Sequence, residues 1–259
     1  SYSVTGVQTC ALPICFIPND IFCNYVYNGG DFVQDTVDRC RAGGMSPYIS
    51  FRMNETQALD GIINPTSGTA GHLCQFYYDH PEYKLDPESL DFNERVQNWA
   101  IQEVRDYKFN FLQEICENYD IDGLELDFLR HYRLFKLDGS ISVDDRKTIM
   151  TAFIARVREL LDSTSTPGHH RYLCVRVPCY VATLEEMGLD LPDMVAAGVD
   201  MVNLSNYYHF KQMNEIAAIR NQIPNTDLYF ELAFTASLHT TVAQPGERSH
   251  ILATEESLY

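Results

Sequence analysis

The chain has 259 residues, of which 36 are acidic and 19 are basic, so its formal net charge is −17 at neutral pH. Such an acidic surface repels phosphate backbones, and no cluster of lysine and arginine offsets it, so nucleic acid is not an expected partner. The sequence has no run of eighteen apolar residues. No membrane span, and hence no membrane partner, is therefore expected.

The amino terminus differs from the rest of the chain. Residues 4–14, VTGVQTCALPI, resemble a sequencing-adapter oligonucleotide translated in frame, so residues 1–14 are interpreted as a non-native scar. They lack the basic region and the long apolar region of a signal peptide. The remainder, residues 15–259, has close to the roughly 250 residues typical of one (β/α)8 barrel and is expected to form a single catalytic domain.

Helix and strand patterns alternate through this remainder. The predicted helices span residues 31–41, 96–118, 144–161, 184–197 and 211–222. The predicted strands span residues 21–27, 47–54, 90–93, 121–128, 172–178, 200–207 and 227–234. This order predicts an α/β fold, namely a TIM-type (β/α)8 barrel with parallel strands. An eighth strand is not visible before Tyr259, so the barrel is expected to be truncated at both ends.

The predicted strand over residues 121–128 carries the most informative pattern. Leu124, Leu126 and Phe128 alternate with Glu125 and Asp127. Since the side chains of a strand alternate between its two faces, the apolar set is expected to face helices and the carboxylates to face the barrel interior. Carboxylates are tolerated there only where they meet water, partners or a substrate. The strand therefore predicts a functional site.

The same stretch resembles a known family. Residues 93–130, with the pattern Asp-Gly-x-x-x-Asp-x-x-Arg formed by Asp122, Gly123, Asp127 and Arg130, resemble the fourth-strand region of the bacterial family 10 glycosylhydrolase-like barrels. The resemblance implies a TIM barrel that acts on carbohydrate. It covers a small part of the chain.

A second resemblance is to the alpha-amylase clan, whose fourth strand reads Gly-x-Arg-x-Asp-x-x-Lys-His. The corresponding positions here are Gly123, Glu125, Asp127, Arg130 and His131, with glutamate in place of the arginine. The resemblance implies that Asp127 is a nucleophile or charge stabiliser. The alternative is a structural Asp127 paired with Arg130. The clan's acid after the fifth strand has no counterpart in residues 172–179, which leaves only the more distant Glu185 or Glu186.

Parallel strands should bring their carboxyl ends to one rim, where barrel enzymes have their active sites. The polar residues expected at that rim are Arg52, Asn54, Glu125, Asp127, Arg130, His131, Arg176, Asn203, Tyr207 and Glu231. Glu231 is the preferred second carboxylate, and its alternative is a structural pair with Arg176 or Arg52. The two arginines would clamp an anionic group or neutralise the acids.

The remaining predicted rim residues have supporting roles. Glu125 is expected one pleat deeper than Asp127, as a buried ion-pair residue. Asn203 and Tyr207 would bind sugar hydroxyls or serve packing. The long loop over residues 55–89 contains Tyr77 and Tyr78, which would stack on sugar rings as part of a lid or would fix the loop in place.

Two carboxylates at an open barrel mouth suit glycosidic bond cleavage, with one as general acid and the other as nucleophile or base. Asp127 and Glu231 are therefore the predicted catalytic pair, acting on a carbohydrate substrate without a cofactor or metal. One alternative is a non-catalytic, carbohydrate-binding or degenerate barrel. Another is a metal-dependent hydrolase, but the predicted strands have no cluster of metal-binding histidines, only His131 and His209 beyond their ends.

The cysteines give information about the compartment. They stand at positions 10, 15, 23, 40, 74, 116, 174 and 179, and no two form a Cys-x-x-Cys pair. Scattered thiols of this kind are typical of a reducing environment, which favours the cytoplasm.

Overall fold

The computed structural model describes residues 24–26, 28–54, 56, 75–89, 91, 94–129, 131–205, 215–231, 235–237 and 250–252. Five parallel strands form one sheet, and each lies beside the next strand in the sequence. These strands are β1 (Tyr48–Arg52), β2 (Gly123–Asp127), β3 (Tyr172–Pro178), β4 (Met201–Ser205) and β5 (Asp227–Phe230). Two short strands, β6 (Thr235–Ser237) and β7 (His250–Leu252), pair antiparallel in a separate sheet.

Helices connect the parallel strands. They are α1 (Phe32–Ala42), α2 (Gln75–Asp79), α3 (Gln102–Asn118), α4 (Val143–Thr164), α5 (Val181–Met187), α6 (Leu191–Ala196) and α7 (Ile216–Gln222), with a 3-10 turn over Pro81–Tyr83. Because every crossover advances the sheet by one strand in the same direction, right-handed connections place these helices on one face. The predicted α/β class with a parallel sheet is confirmed. Closure into an eight-stranded barrel remains a prediction.

Local sequence signals explain where two of the helices begin. The Asp31 side chain accepts hydrogen bonds from the backbone of Val33 and Gln34, both at 3.0 Å, and so caps α1. Ser142 accepts a bond of 3.1 Å from the backbone of Asp145 at the start of α4. Such side chains satisfy the amide groups that a first helical turn leaves unpaired.

The apolar residues of the strands meet the helices in one core. This core includes the fully buried Leu124, Leu126, Leu173, Val175, Val202 and Leu204 of the sheet. Helices α1, α3 and α4 contribute Val37, Leu112, Ile154 and Val157, among others. The period-two pattern therefore correctly predicted which strand face packs on helices. We call the opposite face of the five-stranded sheet the polar face.

Some predicted elements differ from the structure. Residues 24–26 are helical, so the strand predicted over residues 21–27 is wrong at these positions. The helix predicted over residues 184–197 is two helices, because Gly188 adopts a left-handed φ of 71° and Asp190 caps a new helix. A side chain at Gly188 would also lie 2.6 Å from the Cβ atom of Arg146.

Other predictions fall partly outside the described residues. The strand predicted over residues 90–93 is described only at Asp91, and residues 206–214 and 232–234 are not described. Among the helices of the described ranges, none is long and apolar enough to span a membrane.

Candidate active site

The parallel register arranges the polar face in rows that cross all five strands. The upper row, near the carboxyl ends, consists of Arg52, Asp127, Arg176, Asn203 and Tyr229. The lower row, two residues earlier on each strand, consists of Ser50, Glu125, Cys174, Met201 and Asp227. Layers of this kind fill the interior of parallel barrels. They bring residues that are distant in sequence into contact.

Arg176 joins the two predicted catalytic carboxylates. Its Nη1 atom donates to Asp127 Oδ2 at 3.0 Å. Its Nε and Nη2 atoms donate to Glu231 Oε2 at 3.1 and 2.5 Å. Glu231 directly follows β5 and stays in the sheet, because its backbone N–H donates to the Leu204 carbonyl at 2.9 Å. One guanidinium of β3 thus contacts acids from the second and the fifth strand.

The two carboxylates differ in their surroundings. The Asp127 side chain is 9 % exposed, whereas that of Glu231 is 39 % exposed. Asp127 also accepts a hydrogen bond of 3.0 Å from the backbone N–H of Leu129. The Arg176 and Leu129 donors fix the orientation of the Asp127 carboxyl group. Glu231 is the more accessible of the pair.

Opposing influences act on the pKa of Glu231. Burial raises this pKa, but hydrogen bonds from Arg176 and Ser205, together with the Arg176 charge, outweigh burial and hold it below its ordinary value. Burial conversely lowers the pKa of Arg176, and the contacts with Glu231 and Asp127 raise it above its ordinary value. In the structure as it stands, Glu231 is therefore ionised at neutral pH.

Glu125 lies in the lower row and is hydrogen-bonded to residues of three other strands, β1, β3 and β4. It accepts hydrogen bonds from Ser50 Oγ at 2.7 Å, Asn203 Nδ2 at 3.3 Å and Cys174 Sγ at 3.8 Å. Burial, followed by the nearby Glu125 charge, raises the pKa of Cys174 to about 12, so this thiol stays protonated and donates. Glu125 thus links four strands through the lower row, beneath Asp127.

The other predicted rim residues have varied positions. Arg52 is exposed in the upper row, beside Asp127 in the register. Asn54 is buried, and its side chain bonds both backbone groups of Gln97, at 3.1 and 3.3 Å, and the Arg133 carbonyl at 3.0 Å. It therefore anchors the chain beyond β1. His131 is half-buried with a φ of 58°. Arg130 and Tyr207 lie outside the described residues.

The aromatic residues of the long loop contact the helical side of the fold. Tyr77 is 1 % exposed, and its hydroxyl donates to the Arg95 carbonyl at 2.6 Å. The Lys84 ammonium lies 4.0 Å from the centre of the Tyr77 ring. The Tyr78 ring packs edge-on against the Tyr77 ring. Phe76 stacks on Tyr107 of α3, with 3.9 Å between ring centres. These contacts favour the interpretation in which the aromatic residues fix the loop.

The structure adds residues that the sequence analysis did not assign to the site. Ser50 and Cys174 bind Glu125, and Ser205 binds Glu231. Tyr229 lies in the upper row. All four occupy the same face as the acids in the period-two pattern, so the available signal was their position on a strand. Glu185 and Glu186 are exposed on α5 and have no described contact with the acid pair.

The described residues were also compared with the requirements of a metal site. Within the described ranges, no group of three or more histidine, cysteine, aspartate or glutamate side chains is arranged to hold a metal ion. The charged groups of the site are the carboxylates of Glu125, Asp127 and Glu231 and the guanidinium groups of Arg52 and Arg176.

Comparisons with known proteins give limited information. No family model and no curated protein matches the chain. Among solved structures, the chain is similar to the crystal structure of chitinase ChiW from Paenibacillus sp. str. FPU-7, a bacterial cell-surface-expressed multi-modular enzyme. The identity is 18 %, the TM-score is 0.41, and the match covers 60 % of this chain but only 22 % of that one. At that TM-score the likeness establishes neither a shared fold nor a shared activity.

Proposed function

We propose that the chain is a glycoside hydrolase in which Asp127 and Glu231 are the reacting carboxylates. The observation that carries this proposal is the double contact of Arg176, which brings acids from two non-adjacent strands to one guanidinium. Convergent carboxylates on a solvent-accessible face are the equipment of glycosidic bond cleavage. The resemblance of residues 93–130 to glycosylhydrolase-like barrels is consistent with this chemistry.

The spacing of the two acids suits the reaction. Because they contact neighbouring nitrogens of one planar guanidinium, their bonded oxygens lie within roughly 8 Å of each other. Retaining glycosidases separate their carboxyl groups by about 5 to 5.5 Å, and inverting enzymes by about 6.5 to 9.5 Å. The arginine clamp is compatible with either outcome.

The surroundings of the acids suggest their roles. Asp127 receives two donors and is the nucleophile or charge stabiliser. Glu231 is the general acid once Arg176 releases it. The largest influence on the Glu231 pKa is burial, which raises it. If Arg176 were absent, only the Ser205 hydrogen bond would still lower this pKa. A substrate hydroxyl that takes Glu231's place on Arg176 removes one of the hydrogen bonds that hold the Glu231 pKa down, so that Glu231 can take up a proton from water and then donate it to the leaving-group oxygen.

The test is turnover by two isosteric variants. The parent is screened on 4-nitrophenyl glycosides of glucose, galactose, xylose and N-acetylglucosamine in both anomeric forms. On any glycoside that it cleaves, Asp127→Asn and Glu231→Gln are each expected to lower kcat by about a hundredfold or more, as losses of acid–base groups do. Glu159→Gln, an exposed acid of α4, is the matched control and should retain parental turnover. NMR of the first-formed anomer then distinguishes retention from inversion.

Near-parental hydrolysis by either active-site variant would remove that residue from the mechanism.

A second candidate function is non-catalytic carbohydrate binding. The observation that favours it is that both acids are already paired with Arg176. A parent chain that binds oligosaccharides but cleaves none of the glycosides would support that second function and reject the first.

A further inference from the structure

Three tyrosines on the polar face are exposed, and they fall into two groups. Tyr48 and Tyr172 lie at the amino-terminal end of the sheet, where their rings stack with 6.5 Å between centres. Gly123 separates them in the register, and a Cβ atom there would lie 2.4 Å from the Tyr48 ring. Tyr229 lies in the upper row, is 55 % exposed, and has no aromatic partner within the described residues.

The position of Tyr229 relates it to the acid pair. It precedes Glu231 by two residues on the same strand face, a distance of about 6.6 Å. Tyr229 of β5 is paired in the register with Asn203 of β4, and Asn203 is paired with Arg176 of β3. The Asn203 amide nitrogen donates to Glu125, so its carbonyl oxygen is the atom that can accept from a ligand.

We propose that Tyr229 is the stacking platform for the sugar ring next to the bond that is cleaved. This inference rests on the proposed function. A pyranose has an apolar C–H face and a polar rim, and tyrosine offers a flat apolar ring with little side-chain entropy to lose. Asn203 and Arg176 supply an acceptor and donors beside that ring for hydroxyl groups.

The charges around Tyr229 define the class of sugar. Asp227 lies two residues before it and Glu231 two residues after it, both on the same strand face. Four carboxylates of the polar face, Glu125, Asp127, Asp227 and Glu231, outnumber the two guanidinium groups of Arg52 and Arg176, so the net charge beside Tyr229 repels an anionic sugar. The platform therefore takes a neutral pyranose, such as a hexose, a pentose or an N-acetylhexosamine, and discriminates against a uronic acid.

The experiment compares Tyr229→Ala, Tyr229→Phe and Tyr172→Ala. The last is the matched control, because it removes an exposed tyrosine from the other end of the same face. On a cleaved 4-nitrophenyl glycoside, Tyr229→Ala is expected to raise KM about three- to tenfold with little change in kcat, in keeping with aromatic contact energies. Tyr229→Phe keeps the ring and should stay within about twofold of the parent. Tyr172→Ala should match the parent.

Binding is measured separately, so that failure of the platform and failure of hydrolysis are distinguishable. Saturation-transfer NMR with neutral tetrasaccharides of glucose, xylose and N-acetylglucosamine is run on Glu231→Gln and on Glu231→Gln with Tyr229→Ala. Loss of signal in the second protein supports the platform even if the parent cleaves nothing. The inference is overturned if Tyr229→Ala binds as well as its parent, if Tyr172→Ala has the same effect, if galacturonate oligomers bind as tightly as the neutral sugars, or if no saccharide binds the parent.

Discussion

The two ends of the five-stranded sheet use the same ion-pair chemistry for different purposes. At the amino-terminal end, Arg41 of α1 donates to both carboxylate oxygens of Asp122, at 2.8 and 2.6 Å. His169 contacts the same carboxylate at 2.9 Å. At the carboxyl end, Arg176 donates to Asp127 and Glu231. The amino-terminal contacts connect a helix and a loop to the sheet, whereas the carboxyl-end contacts stay on the polar face.

A second amino-terminal pair follows the same rule. Arg158 of α4 contacts Asp200 at 3.2 Å, and Asp200 accepts a bond of 2.8 Å from the backbone of Leu173. The segment before β4 is thereby tied to the helix layer. The amino-terminal ion pairs tie helices to the sheet, whereas the Arg176 contacts link strands within one face. The proposed reaction thus lies at the carboxyl end, opposite the contacts that tie the helices to the sheet.

The largest effect on stability is expected from Arg171, which is buried before β3. Its guanidinium donates to the carbonyls of Cys116 and Tyr119, at 2.7 and 3.0 Å, and to the Thr164 hydroxyl at 3.0 Å. Arg171→Met removes the donors that tie the ends of α3 and α4 to the segment before β3, and should lower the free energy of unfolding by about 3 kcal/mol.

Urea denaturation followed by circular dichroism measures this change. Arg39→Met, on the exposed surface of α1, is the control and should stay within about 0.5 kcal/mol of the parent. Equal stability of Arg171→Met and the parent would show that the amino-terminal end does not hold the layers together.

Asp122→Asn is expected to have the next largest effect, about 2 kcal/mol at pH 7. Burial raises the pKa of Asp122, but hydrogen bonds from Arg41, Ser46 and His169 and the Arg41 charge outweigh it, so the folded-state pKa lies below the ordinary value. The stabilisation is therefore complete above the ordinary carboxyl pKa and is lost as the pH falls through the folded value. The difference between parent and variant should be large at pH 7 and should shrink below pH 4. A difference that is constant with pH would contradict an electrostatic origin.

Sequence patterns predicted the faces of strands better than the partners of residues. The strand over Tyr172–Pro178 has the predicted bounds, and its alternation places Arg176 and Val175 on opposite faces as expected. Side-chain direction follows from local periodicity alone. The contact of Arg176 with both acids depends on the register of three strand pairs, and the sequence therefore left Arg130, Arg52 and Arg176 as alternative partners.

The loop residues show a second limit of prediction. An aromatic cluster in an irregular segment has the same pattern whether it covers a site or fixes a loop. Tyr77 is buried because Lys84 covers its ring and the Arg95 carbonyl accepts a hydrogen bond from its hydroxyl group. No periodicity encodes these contacts. The break at Gly188 was likewise hidden, because the apolar pattern continues through it; glycine is required there by a left-handed φ of 71° and by the crowding from Arg146.

The most local effect, on the titration of a single carboxylate, should follow from Arg176→Met, and it tests the carboxyl end directly. In the parent, Arg176 is the main reason that the Glu231 pKa lies below its ordinary value despite burial. Removal of the guanidinium leaves burial opposed by Ser205, so the pKa of Glu231 should rise. In the parent, the contact of Arg176 with ionised Glu231 stabilises the folded state above the ordinary carboxyl pKa, and this stabilisation is lost as the pH falls. In the variant, this pH-dependent contribution to the free energy of unfolding should disappear.

Carbon-13 NMR of glutamate-labelled protein, with Glu231→Gln to assign the signal, measures the titration without a substrate. Arg156→Met, which breaks the pair with Asp106 on the helical surface, is the control and should leave the Glu231 titration unchanged. An unchanged Glu231 titration in Arg176→Met would mean that Arg176 does not control the protonation of this carboxylate, and the release step of the proposed mechanism would then have to be abandoned.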